Sequence, residues 1–148
     1  MNAQYINPFL SSSIHVIEAM MQAKASVGKV ELKTIDNGDY LLLKIGIHGQ
    51  FQGDVVFCFP QEVAIKIVSS MMGGYPIAEF DDMCRSAISE LGNMISGNAS
   101  TILYNDGIVV DITPPKLMDD GRSFAQKRAI TIPLDISDIG NFDIYMIA

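Results

Sequence analysis

Residues 81–104 form the segment that most constrains the fold, because they predict one long helix. Asp81-Asp82 suits a helix start, where side-chain oxygens cap free N–H groups and negative charge meets the positive end of the helix dipole. Asn105-Asp106-Gly107 predicts the helix end. Apolar residues at steps of three and four predict a stripe buried against another layer. This stripe comprises Met83, Ala87, Leu91, Met94, Ile95 and Ile102.

The rest of the chain predicts strands and two further helices. A first helix is expected to start at Asn7-Pro8 and to run to about residue 25, and a short helix over 62–72 ends at Gly73-Gly74. Asp36-Asn37-Gly38-Asp39 predicts a tight turn that joins two strands as a hairpin. The six predicted strands cover 30–34, 40–47, 51–59, 108–112, 125–136 and 142–147.

This order of elements predicts an α+β fold. We expect a mostly antiparallel six-stranded sheet with two long helices and one short helix. A helix followed by three strands occurs twice, so an internal duplication is possible. No linker divides the chain, and residues 1–148 are therefore predicted to form a single domain.

Composition narrows the classes of function. A net charge of −7 disfavours nucleic acid and anionic lipid as partners. No apolar run approaches the roughly 20 residues needed to cross a bilayer, and the N-terminus does not resemble a signal peptide, so we expect a soluble cytoplasmic protein. His15 and His48 lack partners at metal-ligand spacing. Cys58 and Cys84 are expected to be buried thiols, although the sequence leaves a disulfide between them open.

A second ladder of residues lies on the long helix beside the apolar stripe. Its steps of four, three, four and three place the members on one face. The ordinary interpretation is a solvated face. The segment contains no lysine, however, and includes Gly92 and Gly97, which are poor helix formers. These residues alone do not decide between a functional face and an ordinary solvated face. The ladder comprises Ser86, Glu90, Asn93, Gly97 and Ser100.

The run Ser86-Ala-Ile-Ser-Glu90-Leu-Gly-Asn93 resembles the motif of the CheC/CheX/FliY phosphatases. That motif is Asp or Ser, three residues, Glu, two residues, Asn, and a proline some twenty residues later. Pro114-Pro115 falls within a residue or two of the last position, and the order of elements is also similar over nearly the whole chain.

The resemblance implies hydrolysis of the phosphoryl-aspartate of a CheY-like response regulator in chemotaxis signalling. It implies that Glu90 pairs with the receiver lysine and that Asn93 orients the attacking water. It further implies a homodimer that binds no metal of its own, with Mg²⁺ supplied by the phosphorylated receiver.

The predicted first helix does not repeat this motif, although many CheC-type proteins carry it twice. Glu18 is the candidate, but Ile14 and Met21 stand where Ser or Asp and Asn are required. We therefore expect one active site per chain, as in the CheX type, and an exposed Glu18 with an ordinary helical role.

Two alternatives remain open at this point: a non-catalytic binding module for a receiver or another chemotaxis protein, and a structural role like that of flagellar switch proteins. The role of Asn98, near the apolar stripe, also remains open; a buried amide bonded to a loop is one interpretation.

Overall fold

The computed structural model describes residues 3–35, 40–118, 124 and 126–147. Within these residues the chain forms the helices α1 (Ala3–Met21), α2 (Gln61–Met71) and α3 (Asp82–Asn105). The predicted α+β class, with two long helices and one short helix, is confirmed. The strands are β1 (Ala25–Val27), β2 (Glu31–Thr34), β3 (Tyr40–Gly49), β4 (Gly53–Pro60), β5 (Val110–Ile112), β6 (Lys116–Met118), β7 (Arg128–Ile136) and β8 (Gly140–Ile147).

All eight strands join one antiparallel sheet in the order β1-β7-β8-β4-β3-β5. β2 follows β1 along β7, and β6 follows β5 along β3. Exchanging β1–β4 with β5–β8 leaves this arrangement unchanged. The topology is therefore two-fold symmetric, as an internal duplication requires, and each repeat is a helix followed by four strands.

The expected count of six strands is wrong because each edge strand is broken into two short pieces. At one break, Gly28 N–H donates to Pro133 O at 2.8 Å, and at the other Thr113 N–H donates to Gly46 O at 2.9 Å. β1 and β6 have three residues each. So short a run carries no recognisable alternation of polar and apolar residues.

The predicted hairpin between residues 30–34 and 40–47, which correspond to β2 and β3, is also wrong. Leu32 of β2 lies opposite Ile130 of β7, whereas Leu43 of β3 lies opposite Phe57 of β4. The predicted turn residues 36–39 lie outside the described residues. Long-range packing has selected the strand partners here, because β3 is buried between its neighbours while β2 is an exposed edge strand.

Helix α1 begins earlier than the local signal predicts. Its first residue is Ala3, and Pro8 lies inside the helix rather than at its start. The ring of Tyr5 stacks on Phe51 with centroids 4.0 Å apart, which secures the additional turn to the connection between β3 and β4. The helix ends at Met21, before the predicted end, because Gln22 has a left-handed backbone with φ of 49°.

The helices cover one face of the sheet and enclose the main core with it. Each fully buried Ile, Leu or Phe side chain contributes about 1.5–3 kcal/mol to this packing. None of the described helices is long and apolar enough to cross a membrane. The opposite face holds a smaller cluster, which includes Phe124: Ile35, Leu42, Val56, Cys58, Phe124, Ala129, Tyr145 and Ile147.

The N-cap of α3 generates a prediction about pH. Asp81 accepts a hydrogen bond from the Cys84 N–H at 3.0 Å, and this bond lowers the pKa of the Asp81 carboxyl below its ordinary value of 3.8. The ionised cap therefore stabilises the fold above that value, and its contribution is lost as the pH falls through the lowered pKa.

We expect Asp81→Ala to lower the unfolding temperature at neutral pH, and the difference from wild type to shrink well below pH 3.8. Thermal unfolding followed by circular dichroism at both pH values measures this. Asp81→Asn, which can still accept the bond, is the control. A difference that persists undiminished in acid would contradict the assignment.

Candidate active site on helix α3

The buried stripe of α3 is rotated from the predicted one. Leu91 and Ile95 are buried as expected, but Met83 is 49% exposed. Ala87, Met94 and Ile102 are only half-buried. The observed stripe combines four large aliphatic side chains, of which Ile88 and Leu103 were not predicted, with four small residues. The buried residues are Cys84, Ile88, Leu91, Gly92, Ile95, Ser96, Ala99 and Leu103.

Gly92 lets α3 pack closely against β3 and the segment between β5 and β6. A Cβ at this position would lie 2.7 Å from Leu43 Cδ2 and 3.1 Å from Pro115 Cβ. Pro115 belongs to the break between β5 and β6, so the interrupted edge strand places it against the helix. Gly92 and the proline pair are far apart in the sequence, and no local pattern links them, so this contact was not predicted.

The predicted polar face is confirmed as the outward side of α3. Ser86, Glu90, Asn93 and Gly97 are exposed, and Ser100 is half-buried. No described residue forms a hydrogen bond or ion pair with the side chain of Glu90 or Asn93. The two groups therefore project together from one helix, one turn apart, and both are available to a partner.

Gly97 differs from Gly92 because the fold does not require it. A Cβ added at Gly97 would meet no described atom within 4 Å. Glycine inside a helix costs about 1 kcal/mol relative to alanine. The exposed face of α3 thus includes a residue that lowers helix stability and leaves its backbone open to close approach.

Glu18 is not a second copy of the site. Its Oε2 accepts a hydrogen bond from the Ala25 N–H at 3.0 Å, which holds the connection from α1 to β1. Glu18 is half-buried, so its expected exposure is wrong.

Asn98 joins the two long helices. It is half-buried, and its Oδ1 accepts a hydrogen bond from the buried Ser12 Oγ at 3.1 Å. The open question from the sequence is thereby answered: the partner lies on α1 and not on a loop. Ser12 itself was missed by the sequence analysis, because nothing in the local pattern distinguishes it from its serine neighbours.

The two cysteines are poorly suited to nucleophilic chemistry. Cys58 and Cys84 are both buried and are not joined in a disulfide. Burial raises the pKa of the Cys84 thiol, which therefore stays protonated and is a poor nucleophile. The described part of the chain contains no cluster of three or more His, Cys, Asp or Glu residues able to hold a metal ion.

Comparison with known proteins identifies the family. Residues 42–135 match the family described as chemotaxis phosphatase CheX. The chain belongs to the CheX family. A curated relative from Thermotoga maritima, the CheY-P phosphatase CheX, is 32% identical over 99% of this chain and 96% of its own length.

Solved CheX structures have the same fold. A CheX-CheY-BeF₃-Mg²⁺ complex from Borrelia burgdorferi contains a chain that matches with a TM-score of 0.81 at 26% identity, covering 97% of this chain and 96% of that one. The chemotaxis protein CheX from Vibrio vulnificus matches with a TM-score of 0.79 at 25% identity, covering 97% of both chains.

The two glycines of α3 give a matched pair of substitutions with opposite outcomes. Gly92→Ala should destabilise the protein by about 1–3 kcal/mol, because the added methyl group overpacks the contact with Leu43 and Pro115. Gly97→Ala should stabilise it by up to about 1 kcal/mol, because alanine is the better helix former and meets no obstacle. Urea unfolding of the two variants and wild type measures both effects. Equal shifts in one direction would contradict the assigned contact.

Proposed function

We propose that this CheX-family protein hydrolyses the phosphoryl-aspartate of a CheY-like response regulator in chemotaxis signalling, with Glu90 and Asn93 as its active-site residues. The observation that carries the proposal is the joint exposure of these two side chains on the outward face of α3. A carboxylate and an amide one turn apart can enter a neighbouring protein's active site together.

In the proposed reaction, Asn93 positions a water molecule in line with the phosphorus–oxygen bond of the phosphoryl-aspartate. The water oxygen bonds to phosphorus as the bond to the aspartate oxygen breaks, which yields inorganic phosphate and a carboxylate. An amide suits this role because it donates and accepts hydrogen bonds without a charge that repels phosphoryl oxygens. Such reactions depend mainly on positioning and on charge stabilisation.

Glu90 is proposed to dock the helix by pairing with the active-site lysine of the receiver. Its position one turn before Asn93 would fix the distance between the docking contact and the attacking water. Mg²⁺ is proposed to be held by the receiver, where it neutralises phosphoryl charge. The proposal needs no cofactor from this chain.

The main alternative is a module that binds a receiver without catalysis. The exposure of Asn93 favours catalysis, because a buried amide could not reach the receiver's pocket.

We further propose that residues 1–148 act as one domain, since strands of both repeats are interleaved within a single sheet. Buried cysteines outside any disulfide fit the reducing cytoplasm, which we propose as the compartment.

A homodimer formed through the sheet edge is part of this proposal. β2 lies on the outer side of β7, and it carries the exposed apolar residue Leu32, with Val30 just before it; they are 56% and 51% exposed. Edge strands with exposed apolar side chains readily pair with a second copy. The β2 edge is therefore the favoured interface.

The activity test is the decay of a phosphorylated CheY-like receiver with Mg²⁺, with and without this protein. We expect Asn93→Ala to reduce the maximal rate about 100-fold, because water positioning is lost. Glu90→Ala should act mainly on the receiver concentration that gives half-maximal rate, raising it about tenfold, since a docking charge pair is lost.

Matched controls are Glu62→Ala and Asn141→Ala, which remove the same side-chain types from exposed positions on α2 and β8. Both should retain wild-type rates. If wild type binds the phosphorylated receiver and leaves its decay unchanged, the non-catalytic alternative is correct. If the control variants lose activity as Asn93→Ala does, the assignment of the site is wrong.

The dimer is tested by substitution at the sheet edge. Leu32→Lys should convert a dimer to a monomer, because a charged edge residue opposes strand pairing. Sedimentation velocity measures the change, with Val109→Lys, at an exposed position just before β5, as the control at the other edge. A monomeric wild type, or a dimer that persists in Leu32→Lys, would rule out this interface.

A further inference from the structure

We propose that a groove between α1 and α3 forms part of the receiver-binding surface, and that Asn98 is a binding residue within it, held in place by Ser12. This inference rests on the proposed function and extends it to a surface beyond Glu90 and Asn93. The groove has a volume of about 410 Å³. Its walls include Ala19 on α1 and Asn93, Gly97 and Asn98 on α3.

The groove is continuous with the candidate active site. Asn93 is itself a wall of the groove, so a protein that receives Asn93 must also cover the groove beside it. Two side chains provide only a small part of the roughly 800 Å² that each partner buries in an ordinary protein interface. The footprint must therefore extend beyond Glu90 and Asn93.

A hydrogen bond from Ser12 fixes the orientation of Asn98. The hydroxyl of Ser12 is fully buried, and it donates to Asn98 Oδ1 at 3.1 Å. This bond occupies the oxygen end of the amide, which leaves the two N–H donors of Nδ2 for a partner. A donor held in place by a second residue loses little side-chain entropy on binding.

The groove also differs in charge from the rest of the protein. The whole chain carries a net charge of −7, yet none of the described residues that line the groove has a carboxylate. Glu18, on the same helix as Ala19, is bonded to Ala25 N–H, and Glu90 is proposed to pair with lysine. A receiver surface next to an anionic phosphoryl group would meet neutral hydrogen-bonding groups here, and so would avoid like-charge repulsion.

Shape supports the same occupant. Ala19 and Gly97 are exposed small residues on opposite walls, and the fold does not require glycine at position 97. Small walls admit a partner's backbone, whose carbonyl oxygens are acceptors for the N–H donors of Asn98. We therefore assign the groove to the segment of the CheY-like receiver that adjoins its phosphoryl-aspartate.

The test uses Asn98→Asp, which keeps an acceptor for Ser12 and replaces the N–H donors with a carboxylate. The measurement is the affinity for a CheY-like receiver loaded with BeF₃ and Mg²⁺, in which BeF₃ stands in for the phosphoryl group. We expect binding to weaken about tenfold or more, with the unfolding temperature within error of wild type. Unchanged affinity would overturn the proposal.

A second variant tests the opposite wall without touching the Ser12–Asn98 bond. Ala19→Glu should weaken binding, and Ala19→Gln, of equal size without the charge, should weaken it less. Equal losses in the two variants would overturn the charge argument, and no loss in either would overturn the assigned occupant.

Ser12→Ala distinguishes positioning from stability. It should lower the unfolding temperature and weaken binding less than Asn98→Asp does. If Asn98→Asp instead follows Ser12→Ala in both readouts, Asn98 has a structural role only.

Because binding is measured without hydrolysis, the two proposals can fail separately. If the wild-type protein binds the receiver without accelerating its dephosphorylation, the catalytic function is wrong, and the groove can still be tested. A wild type that does not bind the loaded receiver overturns both.

Discussion

The packing of Gly92 against Leu43 and Pro115 determines how α3 is rotated, and the candidate site depends on that rotation. Glu90 precedes this contact by two residues and Asn93 follows it by one, so seating the glycine turns both side chains outward. Pro115 is available only because the edge strand is broken between β5 and β6, and the position of Leu43 follows from its pairing opposite Phe57. The site is therefore built by contacts between distant segments of the chain.

The two-fold topology contrasts with a single candidate site. Each repeat supplies a long helix and four strands to the same sheet, yet only α3 carries the carboxylate and amide on its outward face. Helix α1 has acquired other tasks. Glu18 holds the connection to β1, and Ser12 orients Asn98 across the helix interface. One repeat thus supports the chemistry proposed for the other.

Features set by neighbouring residues were predictable from the sequence. The cap at Asp81, the helix end at Asn105 before the left-handed Gly107, and the shared face of Glu90 and Asn93 follow from local geometry. Features set by distant contacts were not. Strand β2 pairs with β7, the early start of α1 depends on Phe51, and Gly92 is buried against Pro115. No local sequence pattern predicts that these segments lie close together.

Because Glu90 and Asn93 lie on one continuous helix, the distance between them is fixed. Three residues of an α-helix span about 4.5 Å along its axis, and no loop has to close before both groups are in place. This preorganised pair of side chains selects partners by the spacing of their complementary groups. Any receiver with a suitably spaced lysine and phosphoryl-aspartate satisfies it, so discrimination among such receivers must reside in the surfaces that surround the pair.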